Sequence, residues 1–256
     1  MSPAHTGAPA TLGASTASFP EPQALSPGRP GYRRMSFALF AAGLATFALL
    51  YSTQALLPAI SDGFGVTAGQ ASWTVSAATG ALALFVLPLS ALSERFGRTR
   101  MMTCSMVVAV GVGLLVPFAP NLEWLVALRA VQGAAIAGIP ASAMAYLAEE
   151  VKPKALVAAI GLFVAGNSIG GMSGRLVTGW AAQLWGWRAG LAAVALMSLA
   201  CAVAFLVLLP RARFFRPASL NPRAVGRTVA GHLRDPLLLR LYGIGALFMT
   251  VFGAVY

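Results

Sequence analysis

Charged side chains are scarce in this sequence, and those that interrupt its apolar stretches are the ones with chemistry to do. Arg129 stands in LVALRAVQG and Arg175 in GMSGRLVTG, each inside a long apolar run. A guanidinium in such a run costs at least ~2.5 kcal/mol on insertion scales unless it is paired or hydrated. Either the side chain snorkels to the polar boundary or it has a task inside, where Gln132 and Asn167 are further polar candidates. A second cluster, SERFGRTRMM at 93–102, sets Glu94 with Arg95, Arg98 and Arg100 between two apolar runs. A carboxylate at a helix C-terminus opposes the helix dipole. Glu94 therefore needs a cationic partner among those arginines, or the free N–H groups of another helix start. Gly97 permits the tight turn between the two runs. Glu149 and Glu150 end another run and face the same penalty. They are expected to meet Arg95, Arg98 or Arg100 in a charge cluster that opens and closes; the plainer alternative is a solvated helix end.

These residues must be positioned by membrane helices. Of 256 residues, 58% are hydrophobic and only 10% charged, against about 25% charged in a soluble domain. Uncharged or nearly uncharged segments fall at 35–57, 70–92, 101–119, 123–147, 155–181 and 188–209, and a seventh starts near 237. Each of the six is near or above the roughly 20 residues that cross a bilayer as a helix. The fold class expected is all-α: a polytopic membrane protein with a six-helix bundle and an incomplete seventh helix. Pro88, Pro117 and Pro140 should bend or interrupt helices. Gly166, Gly170 and Gly174 recur at spacing four, as do Ala134, Gly138 and Ser142, and small residues at that spacing let helices approach closely. Gly133 and Gly171 belong with these packing glycines.

Basic clusters at Arg29/Arg33/Arg34, Arg95/Arg98/Arg100, Lys152/Lys154 and 211–234 all fall on one side when the six spans alternate. By the positive-inside rule that side, and the N-terminus, is cytoplasmic. The expected organisation is a disordered leader (1–32), the bundle (33–209), a cytoplasmic linker (210–236) and the start of a second bundle (237–256). The linker either lies on an anionic leaflet as a basic amphipathic segment or is a plain connector. The net charge of +11 is broken into short clusters, not a continuous stripe, which argues against nucleic acid as a partner. Cys104 and Cys201 lie in apolar runs without metal-site spacing and read as small buried hydrophobes. His5 and His232 lie outside the runs. With no nucleophile–base pair, metal cluster or phosphate loop, neither an enzyme nor a cofactor is expected.

The stretch Ser90-Ala-Leu-Ser-Glu94-Arg95-Phe-Gly97-Arg98-Thr99-Arg100 resembles the loop signature of the major facilitator superfamily. Ser90 stands where glycine is usual, Glu94 where aspartate is usual, and Thr99 where a basic residue is usual. LRAVQG at 128–133 resembles the family's intramembrane arginine motif. GLFVAGNSIGG at 161–171 resembles the glycine-rich motif of its antiporter branch, with Asn167 in place of a frequent proline. GNSIGGMSGR and YLAEE look closest to bacterial sugar- and drug-efflux permeases. The resemblance implies twelve spans in two six-helix halves, of which this sequence supplies one and part of a seventh span. It is then a fragment, or its reading frame ends early. It implies secondary active transport, proton-coupled efflux of a drug- or sugar-like molecule across the inner membrane, with Arg129 in a central cavity. The partners implied are a small-molecule substrate, protons, the lipid bilayer and a missing C-terminal bundle. The alternative is a truncated or non-transporting membrane protein acting as a packing partner. No Asp, Glu or His sits mid-span in 35–209, so a proton-carrying carboxylate would have to lie in the other half, and two intramembrane arginines would favour an anionic cargo. Trp73, Phe85, Met144, Tyr146 and Phe163 would suit a lipophilic one.

Overall fold

A computed structural model of the chain describes residues 25–215, 231 and 234–255, with 248–255 described by their backbone alone. His5 and His232, the first part of the expected leader and most of the linker lie outside the described residues. The described helices are α1 Pro30–Tyr51, α2 Leu57–Phe64, α3 Ala68–Phe96, α4 Arg98–Leu115, α5 Leu122–Ile136, α6 Pro140–Glu150, α7 Pro153–Trp185, α8 Trp187–Leu208 and α9 Pro236–Val255. Taken end to end they make six stretches long and apolar enough to cross a membrane: α1 with α2, α3, α4, α5 with α6, α7 and α8. A shorter apolar helix begins at Pro236. Among the described residues the protein is all-α and polytopic, with six membrane spans and a further apolar helix from Pro236.

Local sequence sets the boundaries. Proline occupies the first turn of α1, α2, α6 and α7, where its missing N–H costs nothing. Thr67 and Gln70 form a reciprocal capping box at the start of α3, and the Asn121 side chain accepts the Trp124 N–H at 2.9 Å to start α5. Two spans are broken, the fourth at Pro140 as its proline suggested and the first unexpectedly. The first, expected as one helix over 35–57, stops at Tyr51, passes through a 3-10 turn at Gln54–Leu56 and resumes as α2. Pro58 cannot donate to Gln54, and the Ser52 hydroxyl takes the Leu49 carbonyl at 2.8 Å. The fourth breaks at 137–139 because Pro140 cannot donate to the Ile136 carbonyl, which takes the Ile139 N–H at 3.0 Å instead. Pro117 sits in the 3-10 turn that closes α4, while Pro88 is carried inside an unbroken α3.

With lipid around it, a helical bundle is held by close packing rather than by a hydrophobic difference from its solvent. The tightest seam joins α1 to α7. Gly166, Gly170 and Gly174 face the backbone of Phe40, Leu44 and Ala48, so both helices present an every-fourth-residue row to the other. A Cβ added at Gly166 would stand 2.5 Å from the Phe40 carbonyl oxygen, and at Gly174 2.6 Å from that of Ala48. Gly171 faces the Tyr51 ring instead, Gly133 lies on the backbone of α3 at Ala78, and Gly138 rests on Ser105 of α4. Tyr146 and Phe163 are core residues, fully or almost fully buried. The expectation that they line an open apolar face therefore fails; Trp73 and Phe85 are exposed. Cys104, expected to be buried, is exposed on α4. We expect Gly133→Ala to lower stability by about 1–3 kcal/mol through overpacking. Gly161→Ala, which meets nothing within 4 Å, should leave stability unchanged or raise it. Thermal unfolding of the detergent-solubilised variants checks both.

Candidate functional site

Most of the charged residues gather at one end of the bundle, where α3 ends, α4 begins and α6 ends. Gly97 makes the corner between α3 and α4 with φ +102°, a region that side chains with a Cβ rarely enter. The corner turns Arg98 back into the bundle, where it is 9% exposed. Its Nε donates to Glu149 Oε1 at 3.1 Å and its Nη1 to Ser93 Oγ at 2.6 Å. Glu94 Oε1 lies 3.8 Å from Nη2, within ion-pair range but beyond a hydrogen bond, and the Glu94 side chain is 49% exposed. Glu94 thus pairs loosely with Arg98, and Glu149 holds it directly. The Ser90 carbonyl accepts from the Ser93 hydroxyl at 2.7 Å, which orients Ser93 beneath the guanidinium. Arg95 turns instead over the Phe96 ring, 5.6 Å from its centre, and lines a surface cavity with Arg100.

Glu150 takes a role different from that of its neighbour. It is fully buried, and its Oε1 accepts the backbone N–H groups of Arg213 at 2.5 Å and Phe214 at 2.9 Å. The neighbouring Tyr146 hydroxyl donates to the Pro210 carbonyl at 3.1 Å. The chain leaving α8 is therefore clasped by the end of α6. On the other side of the same turn, the Leu25 N–H donates to the Glu150 carbonyl at 2.8 Å, and Lys152 N–H to the Leu25 carbonyl at 3.0 Å. Of the two carboxylates, Glu149 meets one of the expected arginines, whereas Glu150 serves backbone N–H groups. The partners that sequence reading missed here (Leu25, Pro210, Arg213 and Phe214) lie 60 or more positions from Glu150 and act through backbone, and Tyr146 was read only as an apolar ring; the doubled carboxylate at a helix end is the one signal.

Deeper in the bundle, Arg129 is 1% exposed. Its Nη1 donates to the Leu49 carbonyl at 2.8 Å and to Gln132 Oε1, its Nη2 to the Leu50 carbonyl at 2.6 Å, and its Nε to the Thr74 carbonyl at 3.3 Å. Gln132 in turn donates to the Ala109 carbonyl at 3.2 Å. The guanidinium is thus filled by carbonyls at the break of α1 and on α3, rather than facing open space. Arg175 sits apart from it. Its Nε donates to Gln54 Oε1 at 2.8 Å, and its guanidinium lies 4.8 Å from the centre of the Tyr51 ring. Asn167 fills the hollow over Gly43 in the α1–α7 seam. The four intramembrane polar residues therefore fall into three places: Arg129 with Gln132, Arg175, and Asn167. Among the described residues no group of three His, Cys, Asp or Glu is placed to hold a metal ion.

Residues 35–256 match the Major Facilitator Superfamily. The chain belongs to that family. The members of this superfamily are transporters rather than enzymes. It is 40% identical over 222 residues to the uncharacterized MFS-type transporter YybF of Bacillus subtilis, covering 87% of this chain and 55% of that one. It is 38% identical over 234 residues to the inner membrane transport protein YnfM of Escherichia coli, covering 91% of this chain and 56% of that one. The chain thus spans about half the length of the curated relatives it matches. Among solved structures, a mutant of the peptide transporter POT in complex with alafosfalin aligns with TM-score 0.63 at 19% identity, covering 86% of this chain and 46% of the other. A bacterial homologue of the human lysosomal transporter Spinster, inward-facing and occupied, aligns with TM-score 0.62 at 16% identity over 73% of this chain and 46% of the other. At those identities the likeness is one of fold.

Removing the Glu150 carboxylate should free the chain after α8. We expect Glu150→Ala to raise the rate of tryptic cleavage at Arg211 and Arg213 about tenfold, the loss of one charge-assisted hydrogen bond being worth ~1.5 kcal/mol or more. Glu150→Gln, which keeps an acceptor oxygen, should stay near the parent rate.

Proposed function

We propose that these residues act as one six-helix bundle of a transporter-type pair, a packing partner for a second bundle, and do not transport by themselves. The observation that carries this reading is coverage: the chain spans only 55% and 56% of the two relatives. The uneven burial of the spans supports it. Of the most apolar stretch of α3 only 6% is buried inside the bundle, against 67% for the span of α1 and α2. Trp73, Leu84 and Leu87 of α3 are all more than half exposed.

With its second bundle in place, the assembly is read as a secondary transporter that exports a small drug- or sugar-like molecule across the inner membrane, with its N-terminus in the cytoplasm. In that reading the leader spans 1–32, the bundle 33–209 and the linker 210–236, and the second bundle starts at 237. Proton coupling then rests on the second bundle, because no acidic residue or histidine sits mid-span in 35–209. The residues of this half proposed to take part are the charge cluster at Glu94, Arg98 and Glu149, which would release when the two bundles rock, and Arg175, which has an exposed neighbour on either side in Gly174's outer turn at Met172 and Leu176.

The test is to produce the chain with and without the C-terminal six-span half of YybF as a separate polypeptide. The expected result is co-purification near one to one, and no gradient-driven uptake of ethidium or a thiogalactoside into liposomes by the chain alone. Gradient-driven uptake by the chain alone, or failure to bind the second half, would overturn the proposal.

A further inference from the structure

Three arginines that take no part in the charge cluster converge from separate segments of the chain. Arg95 comes from the end of α3, Arg100 from the first turn of α4, and Arg211 from the segment after α8. Together with Phe96 and Phe215 they line a cavity of about 690 Å³. Among the described residues no carboxylate lines it, and neither ion pair involves these three arginines. The start of α4 borders the same cavity and has no side-chain cap, so its first N–H groups add to the positive field. Arg211 is held in place, because the Tyr146 hydroxyl and the Glu150 carboxylate fix the backbone on either side of it, at Pro210 and at Arg213 and Phe214.

The cavity does not end at its basic mouth. Thr99, Arg100 and Arg211 also border a second cavity of about 390 Å³ that runs between α4 and α8 along Thr103, Cys104, Leu206 and Leu209. That groove lies on the outer surface of two membrane-spanning helices, beside the exposed Val107, Val203 and Val207. Arg100 and Cys104 are one turn apart on α4, so the groove descends from the helix end toward the hydrocarbon. An anion-binding mouth at the depth of a helix end, opening into an apolar groove at membrane depth, has the shape and polarity of a phospholipid.

We propose that this bundle binds an anionic phospholipid there, with its phosphodiester among Arg95, Arg100 and Arg211 and an acyl chain along the α4–α8 groove. Glu150 is a positioning residue for this site through its hold on the segment that carries Arg211. A segment of another protein laid across the mouth would need carboxylates to match the arginines but would leave the lipid-facing groove unfilled, which is why the lipid is the better occupant.

Native mass spectrometry of the detergent-purified full chain tests the proposal, with phosphatidylglycerol, phosphatidylcholine and inorganic phosphate as probes. The expected result is retention of phosphatidylglycerol well above phosphatidylcholine, with inorganic phosphate failing to displace it. Each arginine near a membrane surface contributes about a fivefold gain in anionic-lipid affinity. Arg100→Gln with Arg211→Gln should therefore weaken phosphatidylglycerol about 30-fold, while Arg211→Lys keeps most of the binding and Arg240→Gln, on the exposed face of α9, changes nothing. Unchanged thermal unfolding in the double variant would show that its fold is intact. Equal retention of the two lipids, displacement by millimolar phosphate alone, or parent-like binding in the double variant would each overturn the proposal.

Discussion

Inside a bilayer a polar backbone group has no water to turn to, so every break in a membrane helix must be satisfied by protein. The first span of this chain breaks after Tyr51. The carbonyls of Leu49 and Leu50 just before that break are taken by Arg129. The same guanidinium reaches Thr74 on α3 and Gln132 on its own helix, and Gln132 reaches Ala109 on α4. One side chain and its amide neighbour thus connect α1, α3, α4 and α5 at a depth where the alternative for each group is an unpaired polar atom in hydrocarbon. The arrangement answers two costs at once: that of a buried cation and that of the carbonyls freed by a broken helix.

The remaining packing fits around this fixed point. α7 has no part in the arginine network and is joined to α1 by shape, through the rows of Gly166, Gly170 and Gly174 against Phe40, Leu44 and Ala48. At the end of the bundle where α3 meets α4, polarity takes over again. Arg98 ties α4 to α6 through Glu149, and Glu150 ties α6 to the segment after α8. The connection toward the seventh helix therefore leaves the bundle from a defined point. In a two-bundle transporter that exit would fix where the second half begins its path, and it places Arg211 at the basic mouth beside α4.

Much of this was legible in the sequence because hydropathy runs, glycine spacing and charge clusters are local signals. The six spans, the close-packed glycines and the Arg98–Glu149 contact follow from them. The break after Tyr51 was not legible, because an uncharged run of apolar residues looks the same whether its carbonyls bond within the helix or to an arginine 79 residues away. Pro58 was the available signal, placed seven residues beyond Tyr51. The role of Glu150 was hidden for a different reason: its partners are backbone N–H groups, which every residue but proline carries and no pattern marks. Tyr146 and Phe163 were misplaced because aromatic residues suit a core and a cavity equally, and only the packing of neighbouring helices decides between them.

Arg129 is the pin of the broken first span, and the packing of α1, α3, α4 and α5 depends on it. Hydrogen exchange of the chain in lipid nanodiscs, compared between the parent and Arg129→Met, addresses it directly. Without the guanidinium the Leu50 carbonyl loses its Arg129 bond and Leu49 keeps only the Ser52 hydroxyl, so exchange over 50–57 should quicken at least about tenfold, the cost of a single unsatisfied buried group being ~1–3 kcal/mol. Exchange over 141–150, at the far end of the bundle, should hold. If 50–57 exchanges in the variant as it does in the parent, Arg129 does not hold the break and the central claim is wrong.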